Sequence, residues 1–155
     1  MCHYQKIKLI KRQYVPEAVS VGKTGMINHI EIYVRDLYTS KKFWEWLLVK
    51  HLGYKVYQQW KNGISYTKDD SCYIVFVQAK RSKLLPPYNR TRVGLNHLAF
   101  SISNKEILAH IKSELNSSKY KELYADEYPY AGGNEHYALY FEDPDRIKVE
   151  LVVED

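Results

Sequence analysis

A dipeptide repeated within a repeated pattern constrains this chain more than any other feature. From Ile27 the sequence reads Ile-Asn-His-Ile-Glu-Ile-Tyr-Val, and from Leu95 it reads Leu-Asn-His-Leu-Ala-Phe-Ser-Ile. Both stretches alternate with the two-residue period of a strand. Ile30, Ile32 and Val34 fall on one parity of the first, and Leu98, Phe100 and Ile102 on the matching parity of the second. The opposite parity holds His29, Glu31 and Tyr33, then His97, Ala99 and Ser101. Such strands belong to a sheet that packs one face on helices and leaves the other as a polar cup.

Each strand leads into a helical pattern. After the first, Phe43, Trp44, Leu47, Leu48 and Leu52 form an apolar stripe that Gly53 terminates. After the second, Ile107, Leu108, Ile111 and Leu115 do the same, with Ser103 as the expected N-cap and Glu106 three residues on. Three short strand candidates follow each helix, at 54–60, 63–68 and 72–78, then at 121–125, 136–142 and 147–153. The unit is therefore βαβββ, used twice, and the fold class is α+β. Module one spans 26–79 and module two spans 93–155. They are joined by a linker loop, 80–92, that carries Pro86-Pro87 and several basic residues. Its Arg81, Lys83, Arg90 and Arg92 read first as a solvated loop and second as a capture site for an anionic substrate.

Charge narrows the choice of partner. The net charge is +5, but Lys6, Lys8, Lys11, Arg12 and Lys23 face only Glu17 in the first 25 residues, while the remainder carries 18 basic and 17 acidic side chains. The basicity thus resides in an N-terminal extension, residues 1–25, and Met26 is expected to open the functional domain. A nearly neutral body without glycine-rich phosphate loops argues against nucleic acid as a partner. No apolar run approaches the length of a membrane span, and no signal peptide is visible. With two cysteines, Cys2 and Cys72, a disulfide framework and a cysteine-only zinc site are excluded, and a reducing cytoplasm is the expected location.

The polar parity carries the candidate chemistry. The last strands of the modules align Tyr73–Val77 with Lys148–Val152, so Val75 stands where Glu150 stands. Glu150 lies on the face opposite the apolar Ile147, Val149 and Leu151, as His29 and His97 do in their strands. A histidine on a strand, taken alone, is more often a hydrogen-bonded side chain than a ligand. Two at equivalent places in a duplicated unit, with a carboxylate, compose a two-His-one-carboxylate site with open positions that suits Mn, Fe, Zn, Ni or Co. Glu31 shares the parity of His29 and is a candidate base, with a solvated strand residue as its other reading. His136 follows the Gly132-Gly133 loop and is a candidate acid or base on a mobile lid, or else a surface histidine after a turn. Tyr33, Tyr73 and Tyr137 are candidates for contacting a planar substrate. His51 and His110 are expected at the surface of helices, and Asp143-Pro144-Asp145-Arg146 as a structural turn.

Taken together, these segments resemble the vicinal-oxygen-chelate superfamily of glyoxalases, bleomycin-resistance proteins, fosfomycin-resistance proteins and extradiol dioxygenases. The segments that carry the resemblance are 27–37, the helix 43–48, Gly94–Phe100 and Phe141–Val152, which together reach across 27–153. The terminal segment is similar to the family's Asp-Pro-Asp-Gly turn, with Arg146 in place of glycine. The resemblance implies curled mixed sheets forming an open cup around a divalent metal, with ligands on the first and last strands of each module. His29, His97 and Glu150 occupy three such places, and Val75 cannot serve as the fourth. That absence counts against glyoxalase I activity. The function implied is a metal-dependent enzyme (a lyase, transferase or dioxygenase) that activates a small oxygen-rich substrate by Lewis acidity. The alternative is a drug-binding protein of the bleomycin-resistance type. A homodimer is expected.

Overall fold

The computed structural model describes residues 25–69 and 72–154. The N-terminal extension, apart from Gly25, lies outside the described residues. The order is β1 (His29–Val34), α1 (Leu37–Trp44), a π-helical continuation (Glu45–His51), β2 (Lys55–Trp60), β3 (Gly63–Thr67) and β4 (Tyr73–Gln78). A 3-10 turn (Arg81–Lys83) follows in the linker. The second half runs β5 (His97–Ile102), α2 (Lys105–Ser117), β6 (Lys121–Leu123), β7 (Ala138–Glu142) and β8 (Lys148–Val153). Two βαβββ modules are therefore present, and the fold is α+β. Each module makes a four-stranded mixed sheet, ordered β1-β4-β3-β2 and β5-β8-β7-β6. The first and last strands pair in parallel in both.

Local chemistry accounts for the helix ends. The Asp36 carboxylate accepts from the Thr39 backbone N–H at 2.7 Å and starts α1. At α2 the structure corrects the sequence expectation. The N-cap is Asn104, whose Oδ1 accepts from Ile107 N at 2.9 Å, and Ser103 lies one residue outside. Both residues are good caps, and only the backbone decides which one has the extended conformation. Gly53 follows the π-helical segment at φ +73°, a left-handed conformation that glycine adopts without steric cost.

Both sheets turn their apolar parity, with the helices they carry, into one shared core. Val34, Phe43, Trp44, Leu47, Leu48, Phe76, Ile111, Leu115, Phe141, Val149 and Leu151 are fully buried there. Phe43 of α1 meets Phe141 of β7 at 6.0 Å between ring centroids, and Tyr120 edge-on at 4.8 Å. Each large side chain buried in this way stabilises the fold by roughly 1.5–3 kcal/mol.

A polar cluster ties the helices of the two modules. Glu114 of α2 accepts from Trp46 Nε1 at 3.1 Å, from Lys50 Nζ at 2.7 Å, and lies 3.1 Å from His51 Nε2. His110, one turn earlier on α2, is 3.3 Å away. Lys50 and then Trp46 hold the Glu114 carboxyl down at about 2. The His51 side chain is only 6% exposed, contrary to the surface position expected, and burial lowers its pKa. The wider turn of the π-helical segment rotates His51 inward, which a 3.6-residue period cannot anticipate.

The linker is less solvated than its composition predicts. Arg90 forms a part-buried ion pair with Glu142, which is 6% exposed. The turn from β7 to β8 is structural, as expected. Asp143 Oδ1 accepts from Asp145 N and Ile147 N, both at 2.8 Å, and Arg35 pairs with Asp145. Those bonds hold Arg146 at φ +71°, where the resemblance leads one to expect glycine. Burial raises the Asp143 carboxyl to about 7, against the backbone hydrogen bonds that lower it. For a carboxyl raised in the folded state, stability is fully present below its unfolded pKa of about 4 and lost as pH climbs to the folded value. Denaturation measured across pH 4–8 is therefore expected to show the wild type losing stability relative to Asp143→Asn between about pH 4 and pH 7. A flat difference curve would contradict the buried-acid assignment.

Candidate metal centre

The strand registers place the polar parity of each sheet on the face away from the shared core. In the first sheet, His29 is level with Tyr73, Glu31 with Val75, and Tyr33 with Val77. His29, Glu31 and Tyr33 are exposed, whereas Val75 is buried. The imidazole of His29 stacks on Tyr73 at 4.8 Å with 14° between planes. Tyr57, at an irregularity between Val56 and Gln58 in β2, adds its ring to Tyr73 at 5.2 Å. The first sheet thus offers one histidine beside an aromatic wall, and no acid at the end of β4.

On the second sheet, Glu150 of β8 is level with Ala99 and Tyr140. Glu150 is 5% exposed, and three groups converge on its carboxylate. His97 Nε2 stands 2.9 Å from Oε2, Tyr140 donates its hydroxyl to Oε1 at 3.0 Å, and His136 Nε2 also reaches Oε1. A buried carboxylate needs such partners, since an isolated buried charge is strongly unfavourable. His136 arrives on the loop between β6 and β7. That loop lies close because residue 132 is glycine. A β-carbon there would stand 2.5 Å from the His136 ring and 2.6 Å from the Tyr140 hydroxyl.

Of the expected ligands, the structure brings His97 and Glu150 together and leaves His29 on the other sheet. Among the described residues, no group of three or more His, Cys, Asp or Glu side chains is arranged to hold a metal ion. The expected substrate contacts divide similarly. Tyr33 and Tyr73 share the face of His29, but Tyr137 packs on the core side, edge-on to Tyr128 and Tyr130 with Lys105 over its ring. Tyr140, which sequence reasoning did not single out, is the tyrosine that touches Glu150. Its position two residues from Glu142 on the outward parity of β7 was the available signal. No helix among the described residues is long and apolar enough to cross a membrane.

Comparison with known proteins agrees with this architecture. The family model of the glyoxalase/bleomycin resistance protein/dioxygenase superfamily matches residues 28–140, and the chain belongs to that superfamily. It is 54% identical over 126 residues to the uncharacterised protein YqjT of Bacillus subtilis (strain 168), covering 81% of this chain and 97% of that protein. A candidate glyoxalase from Bacillus halodurans, known from a crystal structure, is 44% identical with a TM-score of 0.81, covering 84% of this chain and 97% of that one. The fosfomycin resistance protein FosX from Listeria monocytogenes shares the fold at 19% identity and a TM-score of 0.60, covering 83% and 93% of the two chains.

Proposed function

We propose that this protein is a metal-dependent enzyme whose divalent ion is held by His29, His97 and Glu150, with His29 supplied by a second copy of the chain. The observation that carries this reading is the buried Glu150 carboxylate with His97 Nε2 at 2.9 Å, on a face turned away from the core. His97 and Glu150, with His136 engaged on the other carboxylate oxygen, leave a place for a further imidazole, and the donor chemistry suits Mn, Fe, Zn, Ni or Co. His29 sits on the equivalent strand with its ring on an open face. Within one chain the two faces lie on different sheets, outside a common core, so a homodimer that sets one against the other supplies the missing nitrogen.

A bound divalent ion would polarise an oxygen of the substrate and stabilise charge developing on it. The chain's own groups do the rest. Glu31, exposed one pleat from His29, is placed to take a proton from a substrate lying on the first sheet. His136, drawn to Glu150, is placed to exchange one on the second. Tyr33 and Tyr73 would contact a small, oxygen-rich substrate. Val75 at the fourth place supplies no ligand, as expected of chemistry other than that of glyoxalase I.

Titration calorimetry of the purified protein with Mn2+, Co2+ and Zn2+ tests the reading. At least one ion is expected to bind at about one per chain, and His97→Ala to weaken it at least 100-fold. Absence of binding by any of the three, or unchanged affinity in His97→Ala, would instead favour a drug-binding role for the same faces.

A further inference from the structure

The same small device occurs at both histidines. Asn28 Oδ1 lies 2.8 Å from His29 Nδ1, and Asn96 Oδ1 lies 2.8 Å from His97 Nδ1. In each case the asparagine immediately precedes the histidine and the pair opens a parallel strand. The structure assigns to Asn28 and Asn96 the role of positioning residues that hold the Nδ1 proton and aim Nε2 at the metal. This inference rests on the metal reading above and concerns how its two imidazoles are prepared.

The direction of the hydrogen bond follows from the surroundings of Asn96. Its Nδ2 donates to the carbonyl of Arg90 at 3.1 Å, so its Oδ1 is the atom turned to His97. An oxygen there can only accept, which requires the proton to be on Nδ1. Arg90 is itself anchored to Glu142. The linker loop therefore fixes the amide, and the amide fixes the ring. With Nδ1 committed, Nε2 is the nitrogen left to point outward, and on His97 it faces Glu150, a contact that needs a second proton on the ring in the metal-free protein and that an ion would replace. Such partners to the distal nitrogen set both the tautomer and the orientation of ligating histidines. A side chain one residue away can do this without a second strand or loop, which explains how a duplicated strand could carry the device in both modules.

Nitrogen NMR of protein labelled with 15N-histidine reads the proton directly, with no metal present and under mildly alkaline conditions. Wild-type His29 and His97 are expected to carry a proton on Nδ1. In Asn28→Ala the His29 proton is expected to move to Nε2, and in Asn96→Ala His97 is expected to lose its Nδ1 proton signal. Asn96→Asp, which keeps an acceptor, is expected to restore it. Co2+ affinity, followed by its visible absorption, should fall about tenfold or more in each alanine variant and recover in Asn96→Asp. Bare Nδ1 atoms in the wild type, or ring signals unchanged in the folded alanine variants, would overturn the assignment. Protonated Nδ1 atoms that depend on the asparagines, in a wild type that takes up no Co2+, would uphold the lock and overturn the metal reading instead.

Discussion

Mixing the His29→Ala and His97→Ala variants, unfolding them together and refolding, is expected to restore metal sites that neither variant has alone. If each ion lies between two copies, a mixed dimer places both lesions in one site and leaves the other intact. Random pairing makes about half of the dimers mixed, so about a quarter of the wild-type sites should return. A site within one chain would recover nothing. The prediction follows from placement: His97 and Glu150 are in contact, His29 is on the other sheet, and both polar faces look away from the shared core. The readout is bound metal per chain, which needs no knowledge of the substrate.

The second large effect concerns the fold itself. Trp44 is fully buried, stacked on Phe76 at 4.5 Å and edge-on to Phe43 at 5.0 Å. Trp44→Ala is expected to cost about 3–5 kcal/mol in urea unfolding, because it removes the transfer energy of the indole and leaves a cavity that α1 and β4 cannot fill. The buried indole N–H is turned toward the buried Asp143 carboxyl, whose pKa it helps to lower, but the two atoms do not close a hydrogen bond of good geometry. Trp44→Phe removes the poorly bonded indole N–H along with only part of the volume, and is expected to cost well under half as much. Equal losses in the two variants would show that the site collapses freely and that packing around Trp44 contributes little.

The repeat was legible because strand periodicity is a local signal. Ile30, Ile32 and Val34 and their counterparts alternate without interruption, and the observed registers follow from that alternation. Superfamily membership could be read from the same segments. The face of each candidate ligand was also legible, since parity fixes the side of a strand. What parity leaves open is which sheet meets which, so the separation of His29 from His97 and Glu150 could not be read from one chain. The packing of Tyr137 against the core side could not be read from the sequence for a related reason. It is one residue from His136, which reaches Glu150, but both lie in the loop before β7, where strand parity does not assign faces. His51 was missed because the helix widens at Glu45, changing the period on which its expected exposure depended. Asn28 and Asn96 stood in plain view in the repeat, but only side-chain geometry shows that they bind their neighbours' rings.

Elemental analysis of the full chain, purified without added metal and without a histidine tag, tests the metal assignment most directly. About one divalent transition-metal ion per chain is expected in the wild type. Glu150→Gln, which keeps the shape of the side chain while removing its charge and one of its two acceptor oxygens, is expected to hold almost none. A folded wild-type protein that carries no ion and takes none up on dialysis against Mn2+, Fe2+, Co2+, Ni2+ or Zn2+ would contradict the assignment of His29, His97 and Glu150 as ligands.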